Sequence, residues 1–214
     1  MRWTRLRQCV AGTVIGVAVN ASAQTPPPTV PFDTVKTTMT RSPATGLHMG
    51  RLFVQFERTT LDDVRRAASI GAIAHQGDAG DSIYWLCYTN AGVAQVERIW
   101  IIAHGEMGGP AHYVTDISAE ALPHGGATGD CPALPGHLRP LSLANHLWIG
   151  ASRRRVTSAL GRPSSRKAAW RSYDFQAKVP GNCDGGGLDR TATLFLHFHN
   201  GRVNVLHAGQ GTSC

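Results

Sequence analysis

The sequence contains few long apolar runs and few clusters of basic residues. Beyond residue 23, no stretch is long and apolar enough for a membrane-spanning helix, which needs about 20 such residues. The longest run of Lys and Arg is residues 153–155, which the exposed start of a helix would explain. A nucleic-acid-binding protein would be expected to have basic residues clustered along one face. The composition therefore argues against a transmembrane segment and against nucleic acid as a partner.

Several catalytic motifs are also missing. The sequence has no G-x-S-x-G, no phosphate-binding loop, no dinucleotide fingerprint and no C-x-x-C pair. Gly80–Ile83 matches the start of the GDSL esterase motif. However, no strand is predicted just before it, and no Asp-x-x-His pair near the C-terminus could activate the serine. The sequence therefore offers no recognisable catalytic set.

The N-terminus has the three parts of a secretory signal peptide. Three arginines lie within the first seven residues, Cys9–Val19 is an apolar core of 11 residues, and Ala21–Ala23 supplies the small side chains that a signal peptidase accepts. This core is too short to span a bilayer. We therefore predict a signal peptide at residues 1–23, cleavage before Gln24, and a periplasmic or secreted mature protein.

Four cysteines remain after this cleavage: Cys87, Cys131, Cys183 and Cys214. An even number in an oxidising compartment favours two disulfides, although four cysteines allow three pairings. We predict Cys87–Cys131 and Cys183–Cys214, one in each half, because each then closes a loop of about 30–45 residues. Zinc binding by the cysteines is disfavoured because no two of them have the C-x-x-C spacing in the sequence that is typical of zinc ligands.

The rest of the chain alternates between two kinds of segment. Residues 24–45 are rich in Pro and Thr and predict a mobile tether, and residues 118–140 are rich in Gly and Pro and predict a linker. Residues 46–117 and 141–214 have matching patterns, and each predicts one short helix followed by three antiparallel strands. The sequence therefore predicts an α+β fold built from two tandem repeats.

The match between the two halves is clearest at the predicted helices. Val54–Ala68 aligns without a gap to His146–Leu160, at an offset of 92 residues. Thr60 and Ser152 are the expected N-caps, and Asp63 lies where a capping-box acid belongs. The expected apolar stripes are Val64, Ala67 and Ala68 in the first helix and Val156, Ala159 and Leu160 in the second. Each helix needs a sheet to cover its stripe.

Strand-like segments follow each helix. In the first half they are Ser82–Thr89, Arg98–His104 and Ala111–Ile117, and in the second they are Trp170–Lys178, Thr191–His199 and Arg202–Ala208. Asn200 and Gly201 favour a type I′ turn, so the last two segments are predicted to form a hairpin.

The second half resembles a known family. Its short strand, Gly150-Ala151-Ser152, amphipathic helix and closing Gly161-Arg162-Pro163 resemble the small SmpA/OmlA-type outer-membrane assembly lipoproteins. The tandem arrangement is similar to the β-lactamase inhibitory protein fold, as is Gly80–Ile83 followed by Cys87. This resemblance implies a curved sheet that grips another protein and carries its helices on one face.

Two features depart from that pattern. Arg58-Thr59 replaces the usual Gly-Met before the first helix cap. The cysteine spacing also differs, because each inhibitor repeat encloses its disulfide in a short loop. The resemblance therefore implies the fold but not a β-lactamase target.

The predicted hairpin has one apolar and one polar face. A regular two-residue turn pairs Phe198/Val203, Leu196/Val205 and Leu194/His207 on one face, and His199/Arg202, His197/Asn204 and Phe195/Leu206 on the other. The first face is expected to cover the helix. On the second, His197, His199, Arg202 and Asn204 are the predicted binding residues. A metal at these histidines is disfavoured because a site needs three convergent ligands.

Two other places are candidate contact regions. The loop Gly105–His112, with Glu106 and Met107, is conformationally demanding, and such loops often carry binding functions. Tyr84 and Trp100 lie on strands with no clearly polar face. They fit a buried core and an interface equally well, because Trp and Tyr are enriched in both.

These observations favour an exported, non-catalytic protein-binding module of the cell envelope, either an inhibitor or immunity-type protein or an assembly accessory. Its expected partner is another envelope or secreted protein, its free form is expected to be a monomer, and no cofactor is expected. The alternative is a small metal-dependent envelope hydrolase that uses His104, Glu106 and His112. Convergence of these three side chains would favour the hydrolase.

Overall fold

The computed structural model describes residues 24–31, 36–78, 81–91, 95–105, 111–123, 130–183 and 186–214. Within them, the helices are α1 (Leu61–Ala68), α2 (Arg153–Leu160) and a 3-10 helix (Gly136–Leu138). The strands are β1 (Gly46–Met49), β2 (Leu52–Gln55), β3 (Ala74–Gln76), β4 (Ile83–Ala91), β5 (Val96–His104), β6 (Asp116–Ala121), β7 (Leu141–Leu143), β8 (Ser165–Lys167), β9 (Trp170–Val179), β10 (Leu188–His199) and β11 (Arg202–Ser213). None of the described helices has the length and apolar character needed to cross a membrane.

The strands form two antiparallel sheets. The smaller sheet has the order β2-β1-β7, and the larger has the order β3-β4-β5-β6-β11-β10-β9-β8. β6 is hydrogen-bonded directly to β11, from Val205↔Glu120 to Gly209↔Asp116. The larger sheet therefore runs without a break from the first half of the chain to the second.

The predicted α+β fold of two tandem helix-plus-sheet repeats is wrong. The described part of the chain is mostly β, with 47% of its residues in strands and 12% in helices, and the large sheet is curved. Each α-helix has only eight residues, about two turns, and cannot cover a repeat of its own. The pairing of β6 with β11 also merges the strands of both halves into one sheet, and β6 extends beyond residue 117 into the predicted linker.

One face of the large sheet, the core face, is covered by both helices and the small sheet in a single apolar cluster. α1 begins at the predicted capping box: Thr60 Oγ1 accepts from the Asp63 N–H, and the Asp63 carboxylate accepts from the Thr60 N–H. In α2, Ser152 is the predicted N-cap. Only Val156 of the α2 stripe is buried; Ala159 is exposed and Leu160 is half-buried. The second helix therefore packs through a narrower contact than its pattern predicts.

The other face of the sheet, the opposite face, carries a smaller apolar cluster. It contains Trp85, Cys87, Trp100, Ile102 and Cys131. The disulfide Cys87–Cys131 joins the segment after residue 130 to β4, where Ala133 bridges to Thr89. The second disulfide is Cys183–Cys214. Both are the predicted pairs.

The segment predicted as a tether contacts the sheet in both of its described parts. The Trp100 indole N–H donates to the Thr25 carbonyl at 2.9 Å, and the Lys167 ammonium donates to the Pro31 carbonyl at 2.8 Å. Further along, the N–H groups of Thr38 and Met39 donate to the Asp174 carbonyl. The Pro-rich composition of this segment does not predict these contacts.

The hairpin of β10 and β11 turns at Asn200-Gly201 as predicted, but its register differs after the first two pairs. A bulge at Asn204 shifts the register, so the later pairs are His197↔Val205, Leu196↔Leu206, Phe195↔His207 and Leu194↔Ala208. Val203 and Leu206 are both buried, although an odd separation of three residues would put them on opposite faces of a regular strand. One extra residue brings both into the core. The predicted pairing of Leu196 with Val205 is therefore wrong.

Candidate functional site

The tip of the hairpin presents two exposed polar side chains. His199 and Arg202 face each other beside the turn. The Arg202 guanidinium donates through Nη1 to the Gly150 carbonyl, in the loop before α2, at 2.9 Å. A second link joins the same elements, because Ser152 forms an isolated bridge with Arg202. The backbone contacts therefore fix the arginine beside the N-terminus of α2.

The other two predicted hairpin residues, His197 and Asn204, are also in contact, although they are not a directly opposed pair in the strand register. Nδ1 of His197 lies 2.7 Å from Oδ1 of Asn204, the bulged residue. The His197 ring also packs against Trp170, with ring centroids 5.0 Å apart. Both polar side chains are half-buried. The structure thus groups all four predicted hairpin residues, and leaves His199 and Arg202 as the accessible ones.

The two predicted aromatic contact residues differ in exposure, because Trp100 is buried and Tyr84 is half-buried. Trp100 is only 1% exposed, and its N–H is occupied by the Thr25 carbonyl. Tyr84 is half-buried on the core face, where its ring stacks on His75 and His112 at centroid distances of 4.3 and 4.0 Å. A partner could reach Trp100 only if the N-terminal segment moved.

The two described histidines of the alternative hydrolase, His104 and His112, lie on different faces of the sheet. His104 lies on the opposite face, with Nε2 at 3.4 Å from Asp116 Oδ2, whereas His112 stacks on Tyr84 on the core face. Glu106 and Met107 lie outside the described residues. Among the residues that are described, no three His, Cys, Asp or Glu side chains form a group that could hold a metal ion.

A second polar cluster lies on the opposite face and was missed by the sequence analysis. Asp116 lies between two histidines, with Oδ1 at 3.2 Å from His207 Nε2 and Oδ2 at 3.4 Å from His104 Nε2. Ser118 Oγ lies 2.7 Å from His207 Nδ1 and completes the chain of contacts. The regular hairpin register places His207 on the core face, so no pattern in the sequence linked it to Asp116.

The Asp116 carboxyl is stabilised as a carboxylate. Burial favours its neutral form, but the hydrogen bond and charge of His207, helped by the charge of His104, outweigh burial and hold the pKa of Asp116 below its usual range. Ser118 is fully buried. The Ser118 hydroxyl therefore lies inside the structure, where it extends the polar network of Asp116 and His207.

Comparison with protein-family models, with curated proteins and with solved structures found no match for this chain. Its function therefore has to be inferred from its own residues.

Proposed function

We propose that this protein is an exported, non-catalytic protein-binding module of the cell envelope, acting as an inhibitor, an immunity-type protein or an assembly accessory. It contacts its partner through the tip of the β10–β11 hairpin. The two disulfides indicate an oxidising, extracytoplasmic compartment. The finer assignment, a signal peptide at residues 1–23 and a periplasmic or secreted location, is part of the proposal.

The observation that carries the proposal is the exposed but anchored Arg202. Its guanidinium uses Nη1 for the Gly150 carbonyl, which leaves its other donors for a partner. An arginine that is already positioned loses less conformational freedom on binding, and arginine is enriched among residues that dominate interface energies. His199 lies directly across the hairpin and enlarges the same surface.

Charge around the hairpin indicates the partner's chemistry. Residues 131–173, which include α2 and β8, contain eight Lys or Arg residues and no Asp or Glu. α2 itself begins with Arg153, Arg154 and Arg155, all exposed. A partner surface with exposed carboxylates would complement this end of the molecule and speed association. We therefore propose an acidic protein surface as the binding partner.

The test is capture of a partner by the mature protein from envelope extract, followed by mass spectrometry and a measured Kd for the purified pair. The double variant Arg202→Ala with His199→Ala should fold normally, because both side chains are exposed. It should bind at least tenfold more weakly, which is about 1.4 kcal/mol. The control Arg51→Ala removes an exposed arginine at the β1–β2 turn and should bind like the unmodified protein.

Two results would contradict this proposal. A folded double variant that binds its partner with the original Kd would move the contact surface elsewhere. A stoichiometric transition metal in the purified protein, removed by chelator together with stability, would instead favour the hydrolase.

Cleavage of the proposed signal peptide is tested separately. The intact mass of the protein recovered from the periplasm or medium should match a chain that begins at Gln24 and contains no free thiol. A mass that retains residues 1–23, or alkylation of four thiols, would contradict export through this signal peptide.

A further inference from the structure

A cavity of about 230 Å³ lies where α2, β8, β9 and the end of β10 meet. Three arginines from three different elements line it: Arg153 at the start of α2, Arg166 on β8 and Arg171 on β9. The other lining residues are Val156, Thr157, Pro163, Tyr173 and Phe198. No carboxylate is among these lining residues, so the cavity concentrates positive charge.

Nothing in the described part of the chain neutralises these three charges. None of the arginines forms an ion pair with a described carboxylate. Arg153 also adds its charge to the N-terminus of α2, which is the positive end of the helix dipole. Burial lowers the pKa of Arg171, and the nearby charges of Arg166 and Arg153 lower it further. The three guanidinium groups therefore repel one another when no anion is bound.

Two of the three guanidinium groups in the cavity are positioned by described contacts. The Arg171 guanidinium is positioned by two carbonyls, because Nη1 donates to Ala168 at 2.9 Å and to Trp170 at 2.6 Å. Its Nε and Nη2 have no acceptor among the described residues. The Arg153 guanidinium lies over the Phe198 ring, 5.4 Å from its centroid. Arg171 and Arg153 are therefore positioned before a ligand binds.

Tyr173 supplies an independent observation. The residue is only 2% exposed, and it lines the same cavity. Its hydroxyl forms no described hydrogen bond and is not among the fully buried polar atoms, so it is open to a ligand in the cavity. A ligand in the cavity would give the hydroxyl an acceptor.

We propose that this cavity is a binding site for a phosphate group. All of its charged groups are cations, and its hydroxyl can donate, so the ligand must be an anion that accepts hydrogen bonds. Three guanidinium groups match the three terminal oxygens of a phosphate monoester better than the two oxygens of a carboxylate. The site goes beyond the proposed function, because its ligand binds without a protein partner.

Calorimetric titration of the mature protein with inorganic phosphate at pH 7.5 and low ionic strength tests the site. One equivalent should bind, and Arg166→Gln should weaken binding at least tenfold. The Arg166 side chain is exposed and makes no described hydrogen bond, so this variant should keep its fold. Arg171→Gln tests the most buried guanidinium, with its melting temperature as the check on folding. The control Arg154→Gln removes an exposed arginine of α2 that does not line the cavity.

The results distinguish phosphate binding in the cavity from nonspecific attraction of phosphate to the basic surface. No saturable phosphate binding, or equal weakening by Arg154→Gln and Arg166→Gln, would overturn the proposal. Acetate binding as tight as phosphate would also overturn it, because the cavity would then be a carboxylate site. Tyr173→Phe should weaken phosphate binding without removing it, and an unchanged Kd in this variant would exclude the hydroxyl as a ligand contact and overturn the site's geometry.

A final arm identifies the source of the phosphate group. Vesicles of phosphatidylcholine with 20% phosphatidate present the monoester on a lipid headgroup, and plain phosphatidylcholine vesicles are the control. Sedimentation with phosphatidate vesicles that is lost in Arg166→Gln would support the site with a lipid as its source. Binding of inorganic phosphate without vesicle binding would support it with a water-soluble phosphate compound as its source.

Discussion

The Nε2 atom of His207 lies 3.2 Å from Oδ1 of Asp116, across the strand pair that joins the two halves of the chain. His104 approaches the other carboxylate oxygen from β5, and Ser118 contacts the far nitrogen of His207. This network therefore ties β5, β6 and β11 together on the opposite face of the sheet. It also makes the stability of the sheet sensitive to the charge of one carboxylate.

Replacing Asp116 should change how stability depends on pH. The folded state lowers the pKa of Asp116 below its unfolded value of about 3.9, so the carboxylate stabilises the fold above that pH. This contribution is lost as the pH falls through the folded-state pKa. Urea unfolding at pH 7, 4 and 3 should show that Asp116→Asn is less stable at pH 7 and loses less stability below pH 4. Parallel pH profiles for the two proteins would contradict this role.

Gly209 should be required by the same network. It pairs with Asp116, and a Cβ at residue 209 would overlap Oδ1 of that carboxylate. Gly209→Ala should therefore displace Asp116 and cost about 1–3 kcal/mol of unfolding free energy. Gly136→Ala is the matched control, because a Cβ there meets nothing within 4 Å. Equal unfolding midpoints for the two variants would show that Asp116 can move without cost.

The packing of α2 can be tested with two neighbouring residues. Val156 is 1% exposed and lies in the main apolar cluster, whereas Arg154 is exposed. Val156→Asp buries an unpaired charge and should unfold the protein or reduce its stability severely, while Arg154→Asp should change it by less than about 0.5 kcal/mol. Thermal unfolding by circular dichroism measures both. Similar melting temperatures would mean that α2 faces the sheet differently.

The N-terminal segment should shield Trp100. The Thr25 carbonyl accepts from its indole N–H, and the Thr25 N–H and hydroxyl both donate to Asp130. Deleting residues 24–31 should expose the indole to water and move tryptophan emission to longer wavelength. The shift should disappear when the same deletion is made in a Trp100→Phe background. An unchanged emission maximum after the deletion would show that other residues cover Trp100.

Local chemistry in the sequence was sufficient for several elements. Thr60 with Asp63, and Ser152, identified the starts of both helices, because a capping side chain acts within three or four residues. Asn200-Gly201 identified the hairpin turn for the same reason. Cysteine number and spacing led to the two disulfides found in the structure.

Other features depend on contacts between residues that are distant in the chain. No local pattern predicts that β6 pairs with β11, and this pairing joins the two predicted repeats into one sheet. The bulge at Asn204 also depends on tertiary structure. With one extra residue between them, Val203 and Leu206 are both buried in the core. That one-residue shift moved His207 to the face of Asp116 and created the polar network.

The sequence by itself determined where the chain turns, where its helices begin, and which residues are basic or apolar. Those properties depend on backbone preferences and side-chain chemistry over a few residues. The tertiary structure alone decided which strands became neighbours and which face each side chain occupies. It also brought Arg153, Arg166 and Arg171 around one cavity, because burial of apolar surface selects the strand register, and the register then determines where every polar group lies.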